Sequence, residues 1–110
     1  MFHILYPSDQ RRGAAVEFEG RHRVPAYPFL LVLAPGRGPR LHKDPYSETC
    51  IVRSGKAAMT VDGNGVNAGP GDVVIIGPDT RHRFTAMETE PLDAIAIHAS
   101  DRFVIEWPSE

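Results

Sequence analysis

His42, Asp44 and Glu48 fall at even-numbered positions within LHKDPYSETC, residues 41–50, so they share one face of an extended chain. An imidazole and two carboxylates are donor types that hold a divalent cation. Three polar groups on a face normally given to the core need a partner. Pro45 lies between them and marks a bend or a strand end, which lets side chains from both sides of the bend converge.

Strands have to position such a group. Phe29 to Ala34 is a short apolar run between Pro28 and a Pro35-Gly36 turn, and it reads as a strand buried on both faces. ETCIVRSG reads as the next strand, ended by Ser54-Gly55, and KAAMTVDGNGV as a continuation through a hairpin turning at Asp62-Gly63. After the AGPGD turn, VVIIGPD, TRHRFTA, LDAIAIH and RFVIEW follow at short, fairly even intervals. Ten glycines and ten prolines interrupt the chain too often for long helices. The expected fold is all-β, a single-domain antiparallel β-barrel or jelly roll of two packed sheets. The charged, weakly patterned residues before position 28 suggest an N-terminal arm or edge strand over 1–27, with the barrel over 28–110. RHR occurs at 21–23 and again at 81–83, but three residues do not establish a repeat.

At 110 residues the chain suits one hydrophobic core. Its net charge of -2 gives no electrostatic reason to expect nucleic acid or an anionic membrane as a partner. MFHILYPSDQ lacks a basic leading region and carries Pro7, so it fits neither a signal peptide nor a membrane span. Cys50 is the only cysteine, which rules out an intrachain disulfide. The expected location is the cytoplasm. No G-x-S-x-G elbow, phosphate-cradling glycine loop or C-x-x-C pair is present.

Gly36, five residues, His42, one residue, Asp44, three residues, Glu48, six residues and Gly55 form a spaced series that resembles the first motif of the cupin superfamily. In that motif two histidines one residue apart and a following glutamate bind a metal. GDVVIIGPDTRH supplies Gly71 and His82 at positions that match the second cupin motif, after an intervening stretch over 56–70. The resemblance covers roughly residues 28 to 107 and implies a small single-domain cupin of the cupin 2 type, a double-stranded β-helix. Asp44 stands where the second histidine usually stands, Gly77 where a proline does, Asp79 where a glycine does, and Ala86 where an asparagine often follows.

The resemblance implies a mononuclear metal centre on His42, Glu48 and His82, with Asp44 as a fourth group. Two imidazoles and one or two carboxylates leave coordination positions open. An aspartate in place of a neutral histidine adds negative charge, which favours Fe²⁺ or Mn²⁺, while Zn²⁺ and Ni²⁺ remain compatible. Asp44 could coordinate directly, orient His42, or point into solvent beside Lys43. Glu48 could instead pair with Arg40 or Arg81.

The implied function is an enzyme acting on a small organic molecule, either a metal-dependent dioxygenase or an isomerase or cyclase. The alternative is a non-catalytic cupin that binds or senses a ligand or an ion. His98 is the expected catalytic residue in the isomerase version, moving a proton. It shares parity with Ala94 and Ala96, whose small side chains leave room for a ligand, although a histidine there could simply cap a strand. Cys50 is read as a buried, inert thiol. Phe84, Met59, Val52, Val74 and Ile76 are core or pocket wall, and Tyr46 and Trp107 packing residues. Apolar surface on Phe29 to Ala34 and on both faces of LDAIAIH exceeds what one barrel interior needs, so a homodimer is expected.

Overall fold

The computed structural model describes residues 11–12, 15–17 and 26–107. Among them the chain forms nine strands: β1 Arg11–Arg12, β2 Ala15–Glu17, β3 Tyr27–Leu33, β4 Glu48–Ser54, β5 Ala57–Val61, β6 Asn64–Ala68, β7 Val73–Ile76, β8 His82–Ala86 and β9 Leu92–His98. They make two sheets, one of six strands in the order β1-β2-β3-β9-β4-β7 and one of three in the order β6-β5-β8. Every pairing is antiparallel. The all-β jelly-roll reading is therefore correct. Of the expected arm, β1 and β2 extend the edge of the larger sheet beside β3. MFHILYPSDQ and the first RHR lie outside the described residues.

Strict alternation in β9 and β4 decides what the interior contains. In β9, Leu92, Ala94, Ala96 and His98 are buried while Asp93, Ile95 and Ile97 are only partly so; in β4 the buried set is Glu48, Cys50 and Val52. Register then lays these residues side by side, pairing Val52 with Ala94, Cys50 with Ala96 and Glu48 with His98. From Leu92 the inward row of β9 is apolar up to Ala96, and it turns polar at His98. The smaller sheet repeats the change, with Ala86 and Phe84 buried along β8 before His82. Polar residues from both sheets are thus gathered at one end of the barrel.

Turn chemistry fixes these registers. Asp62 and Gly63 both have positive φ, 49° and 80°, and close the β5–β6 hairpin at the expected place. Gly55 is demanded twice, by its φ of 79° and because a Cβ there would lie 2.0 Å from the Pro91 carbonyl oxygen.

Two expectations need correction. The strand over 29–34 is β3 and is not buried on both faces, because no second layer among the described residues covers its outer side and Val32 is 60% exposed. RFVIEW is not a strand in a sheet. It forms a strap after β9 whose only β-bridge among the described residues pairs Lys43 with Glu106.

Candidate metal centre

His42 and His82 are oriented by the same local device. His42 Nδ1 lies 2.8 Å from the Arg40 carbonyl and His82 Nδ1 lies 2.8 Å from the Thr80 carbonyl, each two residues earlier in the chain. A carbonyl only accepts, so each Nδ1 carries the proton and each Nε2 is left with a lone pair. Metal-binding histidines are held in this manner, the second ring nitrogen fixing tautomer and orientation. The two rings sit 4.2 Å apart.

Four residues, His42, Asp44, Glu48 and His82, each offer a ligand atom within 4.8 Å of the others, and all four are buried. Asp44 is 2% exposed and His82 is 1% exposed. Solvent is therefore not where Asp44 points, and it does not orient His42, whose Nδ1 is taken by Arg40. Glu48 pairs with neither Arg40 nor Arg81. Its Oε2 lies 3.6 Å from His82 Nε2 and accepts from the Cys50 thiol at 3.0 Å, while Oε1 lies 2.5 Å from His98 Nε2.

Both Asp44 carboxylate oxygens and His82 Nε2 are buried without a hydrogen-bond partner. Leaving such groups unpaired costs about 1–3 kcal/mol each, and more when charged. A divalent cation among them would satisfy all three at once, so the residues present fit such an ion in number and donor type.

Charge in the cluster is unevenly shared. Burial and the neighbouring Glu48 raise Asp44 to about 6, while the adjacent histidines pull the other way. Burial would raise Glu48 too, but His82, His98 and the Cys50 thiol outweigh it and hold its carboxyl well below the usual range. Burial lowers His42, keeping its Nε2 free. Burial also acts to lower His82, yet the Glu48 and Asp44 carboxylates and the Thr80 carbonyl together raise it. Burial and Glu48 push the Cys50 thiol far up, so it remains a neutral donor, in keeping with an inert role.

Departures from the usual second-motif residues are explained locally. Asp79 adopts a φ of 57° at the position where a glycine is usual, a conformation aspartate tolerates better than most residues, and its N–H donates to the Asp44 carbonyl at 2.7 Å. The turn before β8 is thereby tied to the backbone of the first motif.

A cavity of about 210 Å³ opens onto His42, Glu48 and His98. Phe84 forms part of its wall, whereas Met59, Val52 and Ile76 belong to the core. His98 is buried beside the cluster, 3.7 Å from Asp44 through Nε2, and its Nδ1 faces the Tyr27 carbonyl at 3.3 Å. No sequence pattern signals the strap's role. Phe103, Ile105 and Trp107 all line the cavity. Tyr46 ties the strap down by donating to the Val104 carbonyl at 2.8 Å and accepting from the Val104 N–H at 3.0 Å. Backbone bonds exchanged between Lys43 and Glu106 close its far end.

The family model for the cupin domain matches residues 29–98, well over half of the chain, a stretch that contains the whole cluster and His98. The chain belongs to the cupin family. Among solved structures this cupin is similar to a cupin protein from Bacteroides fragilis, at 25% identity over 86% of this chain and 82% of that one, with a TM-score of 0.70. A cupin 2 domain-containing protein from Halorhodospira halophila shares the fold at 21% identity, with a TM-score of 0.78 over 90% of this chain and 71% of that one. The oxalate decarboxylase of Bacillus subtilis, a protein with Mn(II) centres, is similar at 26% identity and a TM-score of 0.73. That match covers 83% of this chain but 26% of the decarboxylase. No curated protein matches the cupin in sequence. No helix among its described residues is long and apolar enough to cross a membrane.

Proposed function

We propose that this cupin holds one divalent ion, Mn²⁺ or Fe²⁺ in preference to Zn²⁺ or Ni²⁺, and acts as an enzyme on a small organic molecule in the adjoining cavity. The observation that carries the reading is the trio of unpaired buried atoms, Asp44 Oδ1, Asp44 Oδ2 and His82 Nε2, beside His42 and Glu48. Two carboxylates in the donor set favour the harder ions, and the Mn(II) centres of the similar decarboxylase agree with that preference. An ion bound there would supply Lewis acidity and exchangeable positions for a ligand.

The chain's own groups divide the remaining work. His42 and His82 present lone pairs fixed by backbone carbonyls. His98 Nε2 faces Glu48 Oε1 at a short contact and His98 lines the cavity, a placement from which the imidazole can hand a proton to a ligand or take one from it. Such a group serves an isomerase or cyclase directly; in a dioxygenase it would hold the substrate's proton. The proposal includes a cytoplasmic location, supported by the single buried thiol, and a homodimer.

Elemental analysis of protein purified without a metal-binding tag tests the site. Wild type should carry about one ion per chain, and His42→Ala and His82→Ala should carry almost none. Equal metal content in all three would contradict the reading.

A further inference from the structure

Apart from His42, Glu48 and His98, the cavity wall is built of apolar and aromatic side chains, among them Phe29 and Leu31 from β3, Phe84 from β8, and Phe103, Ile105 and Trp107 from the strap. Among the described residues the only ionisable side chains on the wall are His42 and Glu48, of the four-residue cluster, and His98 beside it. Nearby cations are engaged elsewhere. Arg40 lies over the Trp107 ring at 4.6 Å without lining the cavity, and Lys43 is paired with Glu106 at 3.6 Å.

We infer that the ligand is a single planar ring, aromatic or conjugated, with its oxygen donors on one edge, and that small dicarboxylates are not its substrates. The inference rests on the metal-centre reading, since the oxygen-bearing edge is assigned to the ion. Size is the first argument. A cavity of roughly 150 Å³ takes benzene, so the present cavity of about 210 Å³ suits one ring with a few substituent atoms. Shape is the second. Phe29 and Phe103 meet edge to face at 5.1 Å on the His98 side, and Trp107 lies 5.4 Å from the His42 ring. Aromatic walls on both flanks favour a flat ligand.

Polarity is the third argument and excludes the most. A charged group not bound to the ion would leave water for a wall that, apart from His42, Glu48 and His98, is apolar and aromatic, and would meet no cationic side chain among the described lining residues. Oxalate has two charged ends and no apolar part. The likeness to an oxalate decarboxylase therefore does not carry that substrate to this cupin.

Trp107 is the only tryptophan, so its fluorescence reports on the cavity. The full chain loaded with Zn²⁺, which is not redox-active, would first be assayed for metal stoichiometry and then titrated with catechol and with oxalate, by fluorescence and by calorimetry. Catechol should bind saturably and at least tenfold more tightly than oxalate. Phe103→Ala should weaken catechol roughly tenfold, the size of one lost aromatic contact, with metal content unchanged. Ile105→Lys, which adds a cation to the wall, should shift the preference toward oxalate. One zinc per chain with oxalate bound as tightly as catechol, or catechol binding unaffected by both substitutions, overturns the ligand class alone. Absence of bound zinc overturns the metal-centre reading, and this inference with it.

Discussion

His42 and His82, from separate motifs, are bonded to each other twice through their backbones, His42 N–H to the His82 carbonyl at 2.9 Å and His82 N–H to the His42 carbonyl at 2.8 Å. The spacing of their imidazoles is thus set by a main-chain pairing that does not depend on either side chain. His42→Ala should lose metal while the His82 amide stays protected from hydrogen exchange. Exchange of that amide at an unprotected rate would show instead that the ring holds the two motifs together.

Asp44 should weaken the metal-free fold and strengthen the metal-bound one. Its carboxyl is raised from 3.8 to about 6, so the folded state binds that proton more tightly than the unfolded state does. The ionised form is therefore a cost that is fully present above about pH 6 and fades as pH falls toward 3.8. Asp44→Asn should stabilise the metal-free protein at pH 7.5 by roughly 1 kcal/mol, about 4 °C in Tm, and by much less at pH 4.5. The same variant should bind metal roughly 10- to 100-fold more weakly. Thermal unfolding at the two pH values, with a metal titration, measures both effects; a destabilised apo variant would contradict the first.

Metal should be released on mild acidification. Ligands must be deprotonated to bind, and both Asp44, at about 6, and His82, raised by its carboxylate neighbours, take up protons earlier on acidification than their ordinary values would allow. Affinity should fall as pH drops from 7 to 5, and binding near pH 6 should release protons. Calorimetry in buffers of different ionisation enthalpy detects that release, and buffer-independent heats at pH 6 would count against it.

Much of this was legible in the chain because strands alternate. The parity of His42, Asp44 and Glu48, and of Cys50 behind them, matched the observed inward set, and the Asp62-Gly63 hairpin followed from its turn residues. Neither pattern nor composition could reveal which carbonyl each histidine would face, since that depends on the bend before each strand. The strap is not distinguished by pattern, because Phe103, Val104, Ile105 and Trp107 form an apolar run that resembles a strand. Its anchors, Tyr46 and Lys43, lie about sixty residues earlier, a distance over which sequence pattern is silent.

The outer face of the larger sheet should be the dimer contact. Register aligns Leu30, Ile95, Ile51 and Val73 in one row and Pro28, Ile97, Thr49 and Ile75 in the next. Val73 is 55% and Ile75 72% exposed. An apolar band of this extent is rare on a monomer's surface, and a two-fold axis would bury it against itself. Wild type should sediment as a dimer at micromolar concentration, and Ile75→Arg should raise the dissociation constant by roughly 30-fold or more. A monomeric wild type would remove the proposal.

The final prediction separates an open catalytic site from a closed binding site, and it rests on counting donors. His42, His82, Glu48 and Asp44 offer four ligand residues, whereas iron or manganese prefers six donors in an octahedral arrangement. His98 is engaged with Glu48 at 2.5 Å and is not part of the four-residue set, so it does not fill the remainder. The cavity reaches His42 and Glu48 directly, giving a ligand access to the open side. Anaerobically prepared Fe²⁺ protein should therefore bind nitric oxide and give a high-spin iron-nitrosyl signal by electron paramagnetic resonance. The signal should weaken when catechol is added first, because the ring and nitric oxide would compete for the same side of the ion. An Fe²⁺ protein that forms no such adduct has a closed coordination sphere, which would sink the dioxygenase reading. If zinc or nickel then proved to be the native metal, the placement of His98 on the cavity wall beside Glu48 would make the isomerase the better account.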